Sequence, residues 1–125
     1  MNSMLRRLAE WGADPEEAIA CRMMDDIELY DRLLKKMFSS GDRFEHLYSA
    51  VERKDYEAAY YEAHQLKGTA GVLSLKPLFI CLTAVVNDLD KKKYEFLEED
   101  LAKCKEVFEE FKALAPERAF KPAAR

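Results

Sequence analysis

The sequence predicts an all-α protein, an antiparallel up-and-down four-helix bundle with additional short helices at the N-terminus. Three observations carry that prediction. Apolar residues recur at spacings of three and four along most of the 125 residues, and no segment sustains strand alternation. Only four glycines and four prolines occur, too few for a turn-rich all-β fold. Helix starts stand at Asp14-Pro15, Asp25-Asp26, Asp42, Asp55 and Pro77, at intervals that leave only short loops between helices.

Met1 to Gly12 places Leu5, Leu8 and Trp11 at helical spacing, a short leading helix with Trp11 free to lie against the bundle. In Asp14-Pro15-Glu16-Glu17 the aspartate caps, the proline takes the first helical position, and the glutamates suit the positive end of the helix dipole. That helix carries Ala18, Ile19 and Met23 and ends near Met24. Asp25 or Asp26 starts the next, with Glu28 placed for a capping box, and Ile27, Tyr30, Leu33, Leu34, Met37 and Phe38 form its stripe. Ser39-Ser40-Gly41 interrupts the pattern and Asp42 with Glu45 restarts it through Phe44, Leu47, Tyr48 and Val51, as two helices or one kinked helix.

Lys54-Asp55 makes a turn, and Asp55 caps a central helix from Tyr56 to about Leu75. Lys76-Pro77 ends it, because the residue before a proline is pushed out of the α region. Pro77 begins a helix through Leu78, Leu82, Val85, Val86 and Leu89, and residues 90–93 form a charged connector. The last helix runs from about Tyr94 to Leu114, carrying Phe96, Leu97, Leu101, Cys104, Val107, Phe108 and Phe111. Lys54-Asp55-Tyr56-Glu57 and Lys92-Lys93-Tyr94-Glu95 are two similar helix starts. The chain thus divides into a leading segment (1–13), a bundle domain (14–115) and a frayed tail (116–125) with Pro116 and Pro122.

Hydrophobic residues make up 49% and charged residues 35%, the balance of one soluble globular domain with one modest core. The net charge of −4 argues against a grip on nucleic-acid phosphates, which needs a basic face. No apolar run approaches the ~20 residues that cross a membrane, and the N-terminus lacks the apolar region of a signal peptide. The expectation is a cytoplasmic monomer that binds neither nucleic acid nor membrane. Cys21, Cys81 and Cys104 show no zinc-type spacing and read as small buried hydrophobes.

The chemistry gathers at His64-Gln65-Leu66-Lys67-Gly68-Thr69-Ala70-Gly71-Val72-Leu73. At ~100° per residue, Ala59, Ala63, Leu66, Ala70 and Leu73 fall within roughly 80° of arc, centred about 140° from His64. That stripe faces the core, so His64 points to solvent. A helical side chain leans over the preceding turn, so the residue four places on covers it; for His64 that residue is Gly68. Each mid-helix glycine costs ~1 kcal/mol relative to alanine, and Gly71 is a second one on the same side. An open imidazole with Lys67 beside it fits phosphoryl transfer, which needs a nucleophilic nitrogen, room for a bulky dianion and a nearby positive charge. A lone surface histidine and a solvated lysine are the plain alternatives, and for Gln65 a plain surface amide stands beside a hydrogen bond to the phosphoryl group. Tyr60, Tyr61, Val72 and Leu75 lie near the same side, as core satellites or as an apolar docking patch together with Gly71. His46 has no such surroundings and reads as a surface residue.

His64-Gln65-Leu66-Lys67-Gly68-Thr69-Ala70 resembles the H-x-L-K-G-x-A signature of histidine-containing phosphotransfer (HPt) domains, and helix order extends the likeness from about Asp14 to Leu114. Where that family has a glycine about ten residues after the histidine, this chain has Ser74. The resemblance implies a phosphorelay carrier. His64 is the phosphoacceptor, through Nε2. Lys67 stabilises charge, Gly68 gives access, and the docking patch receives the first helix of a receiver domain.

The donor and acceptor are receiver-domain aspartates, of a response regulator or a hybrid histidine kinase, with Mg²⁺ on the receiver and no cofactor on this chain. No P-loop, kinase-type glycine loop or acidic metal cluster appears, so the expectation is a carrier without its own ATP site rather than an enzyme. Three rivals remain: a non-phosphorylated adaptor for receivers or kinases, the phosphoacceptor domain of a larger kinase, and a bundle holding metal or haem through His64. The last lacks a second ligand three or four residues on, where Lys67 and Gly68 stand.

Overall fold

The structure, a computed structural model, describes residues 3–115, so the tail expected at 116–125 lies outside the described residues. These residues form seven α-helices: α1 (Ser3–Trp11), α2 (Pro15–Arg22), α3 (Ile27–Phe38), α4 (Gly41–Glu52), α5 (Tyr56–Val72), α6 (Lys76–Asp90) and α7 (Leu97–Ala113). A single 3₁₀ turn, Tyr94–Phe96, leads into α7, and there is no strand among the described residues. The protein is all-helical. No described helix is long and apolar enough to cross a membrane.

Aspartates set three of the starts. The carboxylates of Asp14, Asp26 and Asp55 accept from the backbone N–H groups of Glu17 (3.2 Å), Leu29 (3.0 Å) and Ala58 (3.3 Å). The cap of α3 is therefore Asp26, with Asp25 in the left-handed region at φ 66°; Glu28 falls one position short of a capping box. The stripe from Ile27 to Val51 divides into two helices. Ser40, not Asp42, flanks the start of α4, and its hydroxyl turns back to donate to the Met37 carbonyl at 2.6 Å.

The end of α5 departs most from the expected boundaries, stopping at Val72 rather than near Leu75. Leu75 N–H donates to the Ala70 carbonyl (2.9 Å) and Ser74 N–H to the Gly71 carbonyl (3.1 Å), the paired bonds of a Schellman motif. That motif puts Ser74 at φ 54°, a left-handed conformation that glycine adopts most easily. Serine is held there by its side chain. Ser74 Oγ accepts from Arg22 Nη1 (2.8 Å) and donates to Glu17 Oε1 (3.1 Å), and its carbonyl accepts from Asp14 N–H (2.9 Å). The buried Tyr30 hydroxyl donates to the Leu73 carbonyl at 2.9 Å, so α2, α3 and the end of α5 meet at one point. Leu75 then flanks the start of α6, which Pro77 opens as expected, while α5 has already closed at the Ser74 turn.

Successive helices pack along one another, α4 on α5, α5 on α6 and α6 on α7. Aromatic rings bring α7 back to the front of the chain. Phe108 stacks on Phe44 of α4 (centroids 3.9 Å apart), and Phe111 stacks on Phe38 of α3 (4.3 Å). Trp11 lies 5.6 Å from the Phe111 ring and donates to Glu110 at 3.3 Å, so α1 does rest on the helices behind it. The two similar helix starts also meet, with Tyr56 and Tyr94 stacked at 4.0 Å. Cys81 and Cys104 are buried as expected; Cys21 is exposed, because its helix covers the core only through Pro15 and Ala18.

One carboxyl group sits in this core. Asp88 of α6 is 8% exposed, and its Oδ2 has no hydrogen-bond partner among the described residues. Burial, with the Asp100 carboxyl beside it, raises its pKa to about 7 against the pull of Lys93.

Two predictions follow from these features. In urea unfolding, Ser74→Ala loses both side-chain hydrogen bonds while keeping the positive φ, and falls about 1–2 kcal/mol below wild type. Ser74→Gly loses the same bonds but relieves the backbone, and lies about 1 kcal/mol above the alanine variant. An alanine variant as stable as the glycine one would refute this account of the turn. For Asp88, the folded pKa lies above the unfolded value of about 3.9, so between those values the folded chain holds a proton that the unfolded chain releases. That contribution to stability is present in acid and is lost as pH rises through about 7. Melting temperatures from acid to mildly alkaline pH should therefore show Asp88→Asn gaining on wild type as pH rises, and a constant gap would contradict it.

Candidate functional site

His64 is the middle residue of α5, and its imidazole is exposed. The opposite face of the helix holds Ala59, Ala63 and Ala70 fully buried and Leu66 at 2% exposure, against α4 and α6. The outward direction of the histidine follows from that burial. The Tyr60 ring, one turn earlier, lies 5.7 Å from the imidazole, tilted by 32°.

On one side of His64 is open space. A Cβ built on Gly68 meets nothing within 4 Å, so the position that would cover the imidazole is vacant. A groove of about 410 Å³ begins there, lined by His64, Gln65, Gly68, Thr69 and Val72 of α5, with Leu33 of α3 and the buried Leu73. Gln65 and Thr69 also border a second groove, beyond which stand Lys36 and Arg43; Arg43 is paired with Glu62 at 3.4 Å.

On the other side is a held charge. The Lys67 ammonium lies 5.8 Å from the centroid of the Phe79 ring of α6, and it has no carboxylate within ion-pair distance among the described residues. Gly71 is not open as Gly68 is: its Cβ would stand 3.1 Å from Phe79 Cε1 and 3.2 Å from Cδ1. Phe79 fills that space, so Gly71 serves close helix packing rather than access to His64.

The expected docking residues separate in the same way. Tyr60, Tyr61 and Val72 are exposed, at 37%, 59% and 44%. Leu75 is fully buried and leaves the patch. Its angular position near His64 applied only to a helix that continued past Val72, and α5 does not. Phe79 (37% exposed) and Ile80 (68%) of α6 are exposed apolar residues missed from the sequence, and Phe79 lies against Gly71 of α5. Their signal was available, since they stand off the stripe of Leu78, Leu82, Val85 and Leu89, where an apolar residue has no core to face. His46 is on the surface, as expected. Among the described residues no three His, Cys, Asp or Glu side chains are placed to hold a metal ion.

No protein-family model, curated protein sequence or solved structure matches this chain.

The two glycines make opposite predictions for stability. Gly68→Ala adds a methyl group in open space to the middle of a helix, and should stabilise the fold by about 1 kcal/mol in urea unfolding. Gly71→Ala must displace Phe79, so it should gain less or lose stability. Equal gains at both positions would contradict the packing described.

Proposed function

We propose that this protein is a histidine phosphotransfer carrier of a phosphorelay, with His64 as phosphoacceptor. The observation that carries the reading is the bare imidazole at the middle of α5, left uncovered by Gly68 and flanked by the ammonium of Lys67, which has no carboxylate partner among the described residues. The sequence resemblance to HPt domains at residues 64–70 adds to it. In this reading α4 to α7 form the antiparallel up-and-down bundle, closed by the Phe44–Phe108 stack, and α1 to α3 are the additional N-terminal helices.

The donor is the aspartyl phosphate of a receiver domain, which carries its own Mg²⁺. The lone pair of the neutral imidazole forms the N–P bond as the P–O bond to the aspartate breaks, and the carboxylate leaves with its electron pair. The other ring nitrogen keeps its proton. Lys67 offsets charge on the phosphoryl oxygens, and Gln65, on the rim of the groove, donates a hydrogen bond to them. Tyr60, Tyr61 and Val72 seat the receiver and thereby orient the reacting atoms, an effect that contributes several kcal/mol to lowering such barriers. Transfer to a second receiver aspartate reverses the same steps. The carrier works in the cytoplasm as a monomer.

Incubation with a phosphorylated receiver domain tests this directly. Wild type should gain an acid-labile, base-stable phosphate that His64→Gln does not. Gly68→Ala should fold and yet transfer about tenfold more slowly, since a misplaced reacting group costs that much or more. If a panel of receivers and histidine kinases all fail to label wild type while some still bind, the protein is a non-phosphorylated adaptor instead.

A further inference from the structure

We infer that Phe79 is a positioning residue for Lys67: its ring, seated on α5 at Gly71, holds the ammonium beside His64. The inference rests on the phosphotransfer reading above and deepens it.

The seat comes first. A side chain at position 71 would lean back over Lys67, four residues earlier on the same helix. Position 71 is glycine, and Phe79 Cε1 and Cδ1 lie 3.1 and 3.2 Å from where its Cβ would be. An aromatic ring from α6 therefore occupies the place that α5 leaves empty. That ring stands off the apolar stripe by which α6 fills the core. Phe79 is 37% exposed, whereas its neighbour Leu78 is fully buried on the stripe that faces the other helices.

The charge comes second. Lys67 Nζ lies 5.8 Å from the ring centroid, within the range at which an aromatic face attracts a cation. A lysine has a flexible four-carbon stem and loses rotamer freedom whenever one position is used. A ring narrows that freedom without neutralising the charge. A carboxylate would hold the ammonium more tightly but would compete for its N–H groups. Against the ring those donors stay available to phosphoryl oxygens. Gly68 completes the contrast, because no side chain takes the space above His64. The same side of α5 therefore has one vacancy filled by the protein itself and one left for the reacting group.

The test is single-turnover phosphoryl transfer from a phosphorylated receiver domain to the full chain, at several protein concentrations. Phe79→Leu should lower the saturated rate about two- to fivefold, the range expected from losing an exposed cation–π contact, and leave the half-saturating concentration unchanged. Phe79→Tyr, which keeps the ring face, should transfer like wild type. In a Lys67→Ala background Phe79→Leu should have no further effect. A raised half-saturating concentration with an unchanged rate would make Phe79 a docking residue only. Equal losses with and without Lys67 would show that it acts independently of the lysine. Either outcome overturns the inference.

The geometry has its own readout. After reductive methylation with ¹³C, the Lys67 methyl resonance, assigned by its loss in Lys67→Ala, should be displaced by the ring current of Phe79 and return to the ordinary lysine position in Phe79→Leu. If wild type accepts phosphate from no receiver, the phosphotransfer reading fails on that result alone. The methyl resonance still decides the positioning, and an undisplaced signal in wild type overturns it whatever the activity.

Discussion

Helix α5 meets its neighbours through alanines, and the exposed face that carries His64 depends on that choice. Ala59, Ala63 and Ala70 are fully buried, with Leu66 the one large residue among them at 2% exposure. Small side chains let neighbouring helices approach closely, and α4 and α6 both pack along this helix. Two glycines in one helix would cost an isolated segment about 2 kcal/mol relative to alanine. Most helix stability in a folded protein comes from tertiary burial rather than propensity, so a helix packed on two sides can carry Gly68 in its second half and Gly71 in its last turn. The inner face makes the outer one possible.

Burial fixes how α5 is rotated; the turn at Ser74 fixes where it stops. The Schellman bonds, the Arg22 and Glu17 contacts to Ser74 Oγ, the Asp14 N–H and the Tyr30 hydroxyl all converge within three residues of the helix end. Helices α4 and α6 end on the same backbone device. Asp55 N–H reaches Ala50 at 2.8 Å past Lys54 at φ 62°, and Lys93 N–H reaches Asp88 at 2.8 Å past Lys92 at φ 56°. Only at Ser74 do several side chains and another helix start gather around the left-handed residue. The turn is therefore a tertiary junction as well as a cap, and it ties the end of the His64 helix to α2 and α3.

How far the sequence was legible follows from the same features. The directions of His64, Lys67, Gln65 and Gly68 came from simple arithmetic, because α5 is regular and its stripe is unbroken over residues 59–73. The end of the helix did not, because serine carries no signal for a left-handed conformation as glycine does. The error over Leu75 descends from that one: angular position means nothing beyond the last helical residue. Asp26 rather than Asp25 as a cap, and Ser40 rather than Asp42 beside the start of α4, are shifts of one or two residues between adjacent candidates. Leu33 and Phe79 were absent from the expected site for a different reason. They come from α3 and α6, and periodicity within one helix says nothing about which neighbours lean over it.

The two glycines carry the remaining step. By sequence they are alike, three residues apart on one helix and both close to the histidine's direction. Physically they are opposites, since Phe79 occupies the space at Gly71 and nothing occupies the space at Gly68. A pocket for a small molecule would be lined on all sides by its own protein, whereas the groove at His64 is bounded by α5 and α3 and lies open above. An imidazole that attacks a group carried by another protein needs this asymmetry: a charge held ready on one side, and on the other a space that only the partner fills. A side chain at position 68 would strengthen the helix and close that space. In the phosphotransfer reading proposed above, the glycine weakens the free protein and leaves the site to be completed from outside.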